Sequence, residues 1–382
     1  MIKILKMSLA GLLLSVSTIT SAGMITPNPT APSIAGTAHI LQDYDSGHIL
    51  MSENADERLP PASITKLMTS YVVSREIHDG NIKLDDEVLI SEKAWRMIGS
   101  RSFIEVNTKV TVEALLRGMI VQSGNDAAVA LAEHVAGSEE VFAQMMNQYA
   151  QKLGMVNTNY QNATGLPGPE HYTTAHDIAI LSAALIRDFP EHYQWYAEKE
   201  YTYNGITQHN RNKLLWRDST VDGLKTGHTE EAGYCLSASA KRDGMRLIAV
   251  VLGTASENAR AQEIQKMFNF GFRFFETHQL YAADEAITQT KVWKGQTDQL
   301  NLGLAQPLSI TVPRGRYKDL QATTNVQQPI VAPVAKGTEL GEVEIRLGDE
   351  VVAQQKLVAI DTIEKGSWWR RILDSLLMLI WG

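Results

Sequence analysis

Three short segments carry groups that can do chemistry, each once and in this order: Ser63-Ile-Thr-Lys66, Ser123-Gly-Asn125 and Lys225-Thr-Gly227. Together they supply a nucleophile, a base beside it, a second hydroxyl, an amide and a cation. That is an inventory for serine acyl transfer without a histidine base. Lys66 follows Ser63 by three positions, so on a helix the two share a face and the ammonium reaches the hydroxyl. Serine is a poor nucleophile near neutral pH, and a lysine takes its proton only when desolvation and nearby positive charge lower the lysine pKa. Lys225 would supply that charge, and a helix beginning at Ser63 would add the positive end of its dipole. Ser123 can relay a proton between Lys66 and a leaving amine, and Asn125 can bind a substrate amide. Lys225 and Thr226 can bind a carboxylate, and Gly227 lets a substrate backbone come close.

Read singly, each motif has a plainer explanation. Roughly one Ser-x-x-Lys is expected by chance in a chain of this size. Ser63 can simply start a helix with Lys66 as a solvated charge, Ser123 or Asn125 can be an N-cap, and Lys225-Thr-Gly227 can be a surface turn. The ordered set, on the elements that follow, is what makes the reading specific.

Ala38 to Tyr44 and His48 to Ser52 read as strands joined by an Asp45-Ser46-Gly47 turn. Pro60-Pro61 stops extended structure, and from Ser63 the residues Leu67, Tyr71 and Val72 recur at helical spacing. Helices over Val112 to Val121 and Asp126 to Val135 place Ser123-Gly-Asn125 in a tight interhelical loop. A loop-rich region containing Gly165-Leu-Pro-Gly168 follows. Strands over Gly233 to Ala240 and Arg246 to Gly253 turn at Arg242-Asp-Gly244, and a helix over Gln262 to Phe275 comes next. From about Tyr281, short extended runs (Leu308 to Val312, Glu342 to Leu347, Val351 to Ile360) punctuated by Gly and Pro indicate a small β domain.

The two ends differ from the rest. Lys3 and Lys6, the apolar run Met7 to Val16 and the small residues Thr20-Ser21-Ala22-Gly23 read as an export signal with a cleavage site; the competing reading is an uncleaved membrane anchor, for which the apolar run is short. Near the other end, Trp368, Trp369, Ile372, Leu373, Leu376, Leu377 and Ile380 fall on one helical stripe, with Arg370, Arg371 and Asp374 opposite. Too short to span a bilayer, this helix suits the headgroup region of a membrane surface; the alternative is docking on the protein itself.

Composition bounds the rest. The 382 residues are 44% hydrophobic and 20% charged, an ordinary globular balance long enough for more than one domain. A net charge of −8 argues against a nucleic-acid partner. The single cysteine, Cys235, excludes an intramolecular disulfide and, in its apolar strand-like run, reads as a buried core residue. His-Glu-x-x-His, cysteine pairs and glycine-rich phosphate loops are absent, so neither a metal nor any other cofactor is expected.

The chain resembles the penicillin-recognising serine acyltransferases, and within them the low-molecular-mass penicillin-binding proteins of the type-5 class, the serine D-alanyl-D-alanine carboxypeptidases. The resemblance rests on Pro61-Ala-Ser-Ile-Thr-Lys-Leu-Met-Thr-Ser-Tyr71, Gln122-Ser-Gly-Asn-Asp126, Asn210-Arg-Asn212 and Val221-Asp-Gly-Leu-Lys-Thr-Gly-His-Thr229. Gly271-Phe-Arg-Phe-Phe-Glu276 and Pro313-Arg-Gly315 extend it toward the C-terminus. It implies an α+β fold: a β-lactamase/transpeptidase-like domain with an antiparallel sheet and helices, then a small all-β domain and a C-terminal amphipathic helix. The expected divisions are a signal peptide at 1–23, a catalytic domain at 24–280, a β domain at 281–365 and an anchoring helix at 366–382.

The resemblance further implies attack by Ser63 on the peptide bond between two terminal D-alanines of a peptidoglycan stem pentapeptide, with Lys66 as base and Ser123 as proton relay. The N–H groups of Ser63 and His228 would form the oxyanion hole, Asn125 would bind a substrate amide, Lys225, Thr226 and Arg211 would hold the free carboxylate, and Gly227 would let the substrate backbone approach. Asp177 and Arg260 match positions linked to the site in relatives. The His228 side chain either tunes Lys225 or is an ordinary loop residue. β-Lactams, which mimic the terminal dipeptide, would acylate the same serine. The implied location is the periplasmic face of the cytoplasmic membrane, peripherally anchored, and a homodimer is compatible with the sequence.

Three rival readings share these motifs. A β-lactamase would need a deacylating loop glutamate, for which the segment Ala163 to Asp177 offers Glu170 without the surrounding pattern. A D,D-endopeptidase would use identical chemistry on cross-links. A membrane-tethered wall-binding scaffold would carry the site as a vestige.

Overall fold

The structure, a computed structural model, describes residues 30–381; the expected signal segment lies outside them. Strands β1 (Ala38–Asp43) and β2 (Ile49–Glu53) form the expected hairpin, whose turn is fixed by Asp43 Oδ1 accepting from Ser46 N–H and Oγ at 2.8 Å each. After Pro61 the chain makes a 3-10 turn, Ala62–Thr65, and runs directly into helix α1 (Lys66–His78). Every residue of α1 from Lys66 to Ser74 is buried. A helix enclosed all round belongs to the core, which is why its sequence shows no clean polar face.

Helix α2 (Val112–Gln122) and helix α3 (Asn125–Ala136) are separated by Ser123 and Gly124 alone. The region after Val135 departs from its loop-rich reading. It holds helix α4 (Glu139–Leu153) and helix α5 (Ala175–Asp188), capped by Ser138 on Val141 N–H (3.2 Å) and by Thr174 on Asp177 N–H (3.0 Å). Along α4, Phe142, Met146 and Ala150 bury one face at four-residue spacing.

Strands β3 (Val221–Thr229), β4 (Gly233–Arg242) and β5 (Met245–Thr254) complete an antiparallel sheet in the order β2-β1-β5-β4-β3. Helix α6 (Glu257–Phe274) starts earlier than its apolar spacing indicated, because Ser256 Oγ caps Ala259 N–H at 3.1 Å. The sheet is covered on both faces. Along β5, Ile248, Val250 and Leu252 join the core built on α1 to α5, whereas Leu247, Ala249 and Val251 join the core under α6. This alternation across a sandwiched sheet makes β5 read as one continuous apolar run.

The C-terminal part is β-rich, as expected. Its strands are β6 (Phe275–Tyr281), β7 (Thr288–Trp293), β8 (Gln299–Gly303), β9 (Leu308–Pro313), β10 (Leu320–Val326), β11 (Ile330–Val331), β12 (Glu339–Leu347) and β13 (Glu350–Ala359). β6 pairs with β9, and the others form a sheet in the order β10-β12-β13-β8-β7-β11 around Leu302, Val343, Ile345 and Leu357. Buried Asp43 joins the hairpin to this region: its Oδ2 accepts from Thr277 Oγ1 at 2.7 Å, and Thr311 Oγ1 bonds both Ser46 Oγ (2.6 Å) and Thr277 Oγ1 (2.8 Å).

Helix α7 (Trp368–Trp381) turns its polar edge to the β7–β8 connection, where Asp374 accepts from Lys294 N–H (2.5 Å) and Arg370 donates to Gln296 O (3.2 Å). Trp368, Trp369, Ile372, Leu373, Leu376 and Leu379 are exposed. Leu377 is half-buried, and the Ile380 side chain lies outside the described positions. Among the described residues no helix is long and apolar enough to cross a membrane.

Candidate active site

The three motifs meet where the 3-10 turn, the α2–α3 junction and strand β3 converge. β3 lies against the turn because Gly227 has no side chain: a Cβ there would stand 3.1 Å from Pro61 O and 3.2 Å from Ala62 Cβ. Gly227 also lines the cleft, where sequence reading placed the approach of a substrate backbone. Gly165, at φ +86°, lets the α4–α5 loop approach the turn from another side; a Cβ there would meet Ala62 O at 1.8 Å.

Lys66 is the centre of the site. Its buried Nζ lies 3.1 Å from Ser63 Oγ, 2.7 Å from Asn125 Oδ1 and 2.5 Å from Thr164 O. Burial pushes its pKa down to about 7, and the Arg211 guanidinium adds to that fall while Asp126 and Glu139 oppose it. Arg211 is thus a second neighbouring cation, not given this role by sequence reading, beside Lys225, whose charge and that of Lys66 oppose one another. A neutral amine has two N–H donors and one lone pair. With Asn125 and Thr164 accepting the N–H groups, the lone pair is left for the Ser63 hydroxyl.

Ser123 closes α2 in the left-handed region, at φ +69°, and its buried Oγ has no hydrogen-bond partner among the described residues. A β-hydroxy residue held at positive φ with an unpaired hydroxyl is costly, a combination that marks functional positions. Neither Ser123 nor Asn125 caps α3; the N-cap is Gly124. Asn125 opens α3 instead, with Oδ1 on Lys66 and Nδ2 donating to Ile98 O at 2.6 Å.

Lys225 and Thr226 are buried in the middle of β3, not in a surface turn. Burial holds the Lys225 pKa well below its ordinary value, with Lys66, Arg211 and Arg260 contributing, and its Nζ donates to Thr226 O at 3.2 Å. Arg211 lines the same cleft; with its amide oriented to donate to His209 O (3.3 Å), Gln122 accepts from Arg211 Nη2 at 3.3 Å. The exposed His228 ring lies on β3, 4.0 Å centroid to centroid from its cross-strand partner Tyr234. Arg260, from α6, donates to Gly227 O at 3.0 Å and lies over Tyr234.

Asp177 is the site residue the structure does not bring to the cleft. It sits in the first turn of α5, where Oδ2 accepts from Asn157 N–H (2.9 Å) and Thr158 Oγ1 (2.6 Å). A carboxylate at a helix N-terminus is favoured by the dipole, which accounts for it without catalysis. Glu170, the residue weighed as a deacylating carboxylate, is exposed and absent from the lining of the cleft.

Three contributors escaped sequence reading. Thr164 acts through its backbone carbonyl, which no residue type announces. Asn162 shapes that carbonyl's turn, with Oδ1 accepting from Thr164 N–H (3.1 Å) and Gly165 N–H (2.8 Å). Asp126, fully buried beside Asn125, accepts from Ser102 N–H at 2.8 Å and Ile104 N–H at 3.4 Å, fastening the segment that Asn125 also holds through Ile98 O and Ser100 O. Its position next to Ser123-Gly-Asn125 was the available signal. The cleft encloses about 400 Å³ and is lined by Ser63, Ser123, Asn125, Arg211, Thr226, His228, Tyr234, Glu257 and Arg260. Among the described residues no cluster of His, Cys, Asp and Glu is arranged to hold a metal ion.

Comparison with known proteins agrees with this geometry. Residues 25–256 match the D-alanyl-D-alanine carboxypeptidase family, and residues 275–365 match the penicillin-binding protein 5 C-terminal domain. D-alanyl-D-alanine carboxypeptidase DacC of Escherichia coli (strain K12) is 44% identical over 91% of this chain and 89% of its own length. DacA of the same organism is 41% identical over 92% and 89%. The crystal structure of penicillin binding protein 5 from Haemophilus influenzae superposes with a TM-score of 0.85 at 42% identity, covering 88% of this chain and all of that one. The chain thus belongs to the D-alanyl-D-alanine carboxypeptidases, as a serine peptidase of the low-molecular-mass, type-5 penicillin-binding class.

Proposed function

We propose that this chain removes the terminal D-alanine from peptidoglycan stem pentapeptides through an ester on Ser63. The observation that carries the reading is Lys66, buried, with its pKa at about 7 and 3.1 Å from the Ser63 hydroxyl. Neutral Lys66 takes the Ser63 proton as Oγ attacks the carbonyl carbon of the penultimate D-alanine. The carbonyl oxygen, now anionic, is received by the N–H groups of Ser63 and His228, worth about 3 kcal/mol in such sites. As the C–N bond breaks, the Lys66 proton passes through the Ser123 hydroxyl to the departing amine. Water then attacks the ester with Lys66 again as base, releasing the shortened peptide and returning the proton to Ser63.

Lys225, Thr226 and Arg211 hold the free carboxylate of the terminal residue, and Arg260 supports that wall through Gly227. A β-lactam presents a strained amide and a carboxylate in the same relation, so it acylates Ser63 as well.

For the whole chain we retain the sequence-based divisions: an export signal at 1–23, a catalytic domain at 24–280, a β domain at 281–365 and an anchoring helix at 366–382. The exposed apolar face of α7 supports peripheral attachment to the periplasmic surface of the cytoplasmic membrane. Incubating purified enzyme with a pentapeptide tests the activity through released D-alanine, and a labelled-penicillin gel of wild type and Ser63→Ala tests the ester. Absence of both signals from the wild type would refute the proposal.

A further inference from the structure

Histidine 171 has no part in the reaction as described, yet it is a buried titratable group one residue contact away from the catalytic helix. It lies at the end of the α4–α5 loop with 4% of its surface exposed. Its Nδ1 faces two donors, Gln161 N–H at 3.3 Å and Asn162 Nδ2 at 3.2 Å, and so accepts. The ring proton is therefore on Nε2, which donates to Thr65 Oγ1 at 2.9 Å. One imidazole thus joins the residue before Lys66 to the residue that shapes the Thr164 turn.

We propose that His171 is a positioning residue for the base: by holding Asn162 against the start of α1, it aims the Thr164 carbonyl at Lys66 Nζ. This rests on the reading of Lys66 as the base of Ser63. The path is short and continuous. Asn162 Oδ1 receives Thr164 N–H, Gly165 N–H and Thr164 Oγ1 at 3.1, 2.8 and 2.9 Å, and Thr164 O then takes a Lys66 N–H at 2.5 Å. Other bonds hold the loop at residue 163, from Thr69 Oγ1 to Ala163 O (2.7 Å) and from Ala163 N–H to Glu139 Oε1 (3.2 Å). Within the turn, Asn162 Nδ2 also donates to Leu166 O at 2.9 Å and Leu166 N–H to Thr164 Oγ1 at 3.3 Å, so His171 is the contact that ties this local turn to the start of α1. Because Thr164 O occupies one N–H of the neutral amine, displacing it lets the lone pair swing off Ser63.

The role requires a neutral ring, since Nδ1 must accept. Burial, with the charge of Lys66 second, pushes the His171 pKa down to about 4, so the ring stays neutral wherever Lys66 works. The ring also packs against Tyr160 in a T-shaped pair, with centroids 5.9 Å apart.

Two substitutions separate the two arms. In His171→Asn the side-chain oxygen can stand in for Nδ1 and keep Asn162. In His171→Gln the amide can stand in for Nε2–H and keep Thr65 while losing Asn162. The full-length protein and its variants are followed by the rate of acylation with a fluorescent penicillin from pH 5 to 9, alongside thermal melting. With wild type as reference, the expected plateau loss is about 10- to 100-fold for His171→Ala and His171→Gln, and under 5-fold for His171→Asn, with peptide KM changed less than 3-fold. Equal loss in the Asn and Gln variants, or a loss confined to melting temperature with the acylation plateau intact, overturns the positioning role. Lys66→Ala is the control. If it still acylates, the base reading falls and this one with it; if it is dead while all three His171 variants acylate normally, the positioning role alone falls.

Discussion

Asn125 Oδ1 accepts a hydrogen bond from Lys66 Nζ at 2.7 Å, so the first residue of α3 is fastened to the first residue of α1 across 59 positions of sequence. That bond does two things: it positions the amine, and it commits a neutral amide rather than a carboxylate to its side. Replacing Asn125 by Asp places a negative charge against Lys66 and favours the ammonium. The acid limb of the acylation–pH profile is expected to move up by at least one pH unit, with the alkaline plateau largely retained. Stopped-flow acylation across pH reads this directly, and an unmoved limb would disprove the charge argument.

The wild-type profile follows from the same group. Lys66, with its pKa lowered to about 7, is half protonated near that pH, and its ammonium form cannot accept the Ser63 proton. Acylation should therefore fall tenfold per pH unit well below 7 and level off above about 8. A rate independent of pH between 5 and 8 would point to a different base.

Arg211 carries two expectations because it lines the cleft, where the proposed carboxylate subsite lies, and acts on Lys66. In Arg211→Ala, kcat/KM for a peptide with a free C-terminal carboxylate should fall about 10- to 100-fold, as for loss of one charge-assisted contact. Its preference over the C-terminally amidated peptide should shrink in parallel. Removing that cation also relieves the pressure on the Lys66 ammonium, so the acid limb should rise. Steady-state comparison of acid and amide substrates separates the two effects.

Asp177 provides the contrasting case. Asp177→Ala leaves Asn157 N–H and the Thr158 hydroxyl without their acceptor, which should lower stability by about 1–3 kcal/mol. Penicillin labelling per folded molecule should stay within twofold of wild type. A strong labelling defect at unchanged melting temperature would restore a catalytic role for this residue.

A chain ending at Gly366 should remain active on pentapeptide and move from vesicle-bound to free fractions in flotation with anionic lipid. Wild type should float through the apolar face of α7. Continued flotation of the shortened chain would locate the membrane contact elsewhere.

How much of this was readable from sequence depends on which part of a residue does the work. Ser63, Lys66, Ser123 and Lys225 advertise themselves because the chemistry proposed for them resides in their side chains. Thr164 does not, since its backbone carbonyl does the work and any residue could supply it. Strand β5 and helix α3 were legible through runs of apolar residues at regular spacing. Helices α4 and α5 were obscured by the glycine- and proline-bearing loop between them, although Ser138 and Thr174 mark their starts. Ser63 was assigned to a helix start, and the intervening 3-10 turn went unseen because its shape depends on Gly227 and Gly165, contributed by remote segments. Asp177 was named by analogy alone; it lies outside the cleft lining, bonded to Asn157 and Thr158, partners that its sequence position does not announce.

Cys235 lies sealed in β4, fully inaccessible, and its surroundings raise the thiol pKa to about 11. It is also the chain's sole sulfhydryl. Any cysteine introduced at an exposed position would be the only one able to react with a maleimide under mild conditions. Fluorophores or spin probes can thus be attached at chosen points around the cleft or along α7 while the native thiol stays in place, and motions during turnover become measurable on an otherwise unaltered protein.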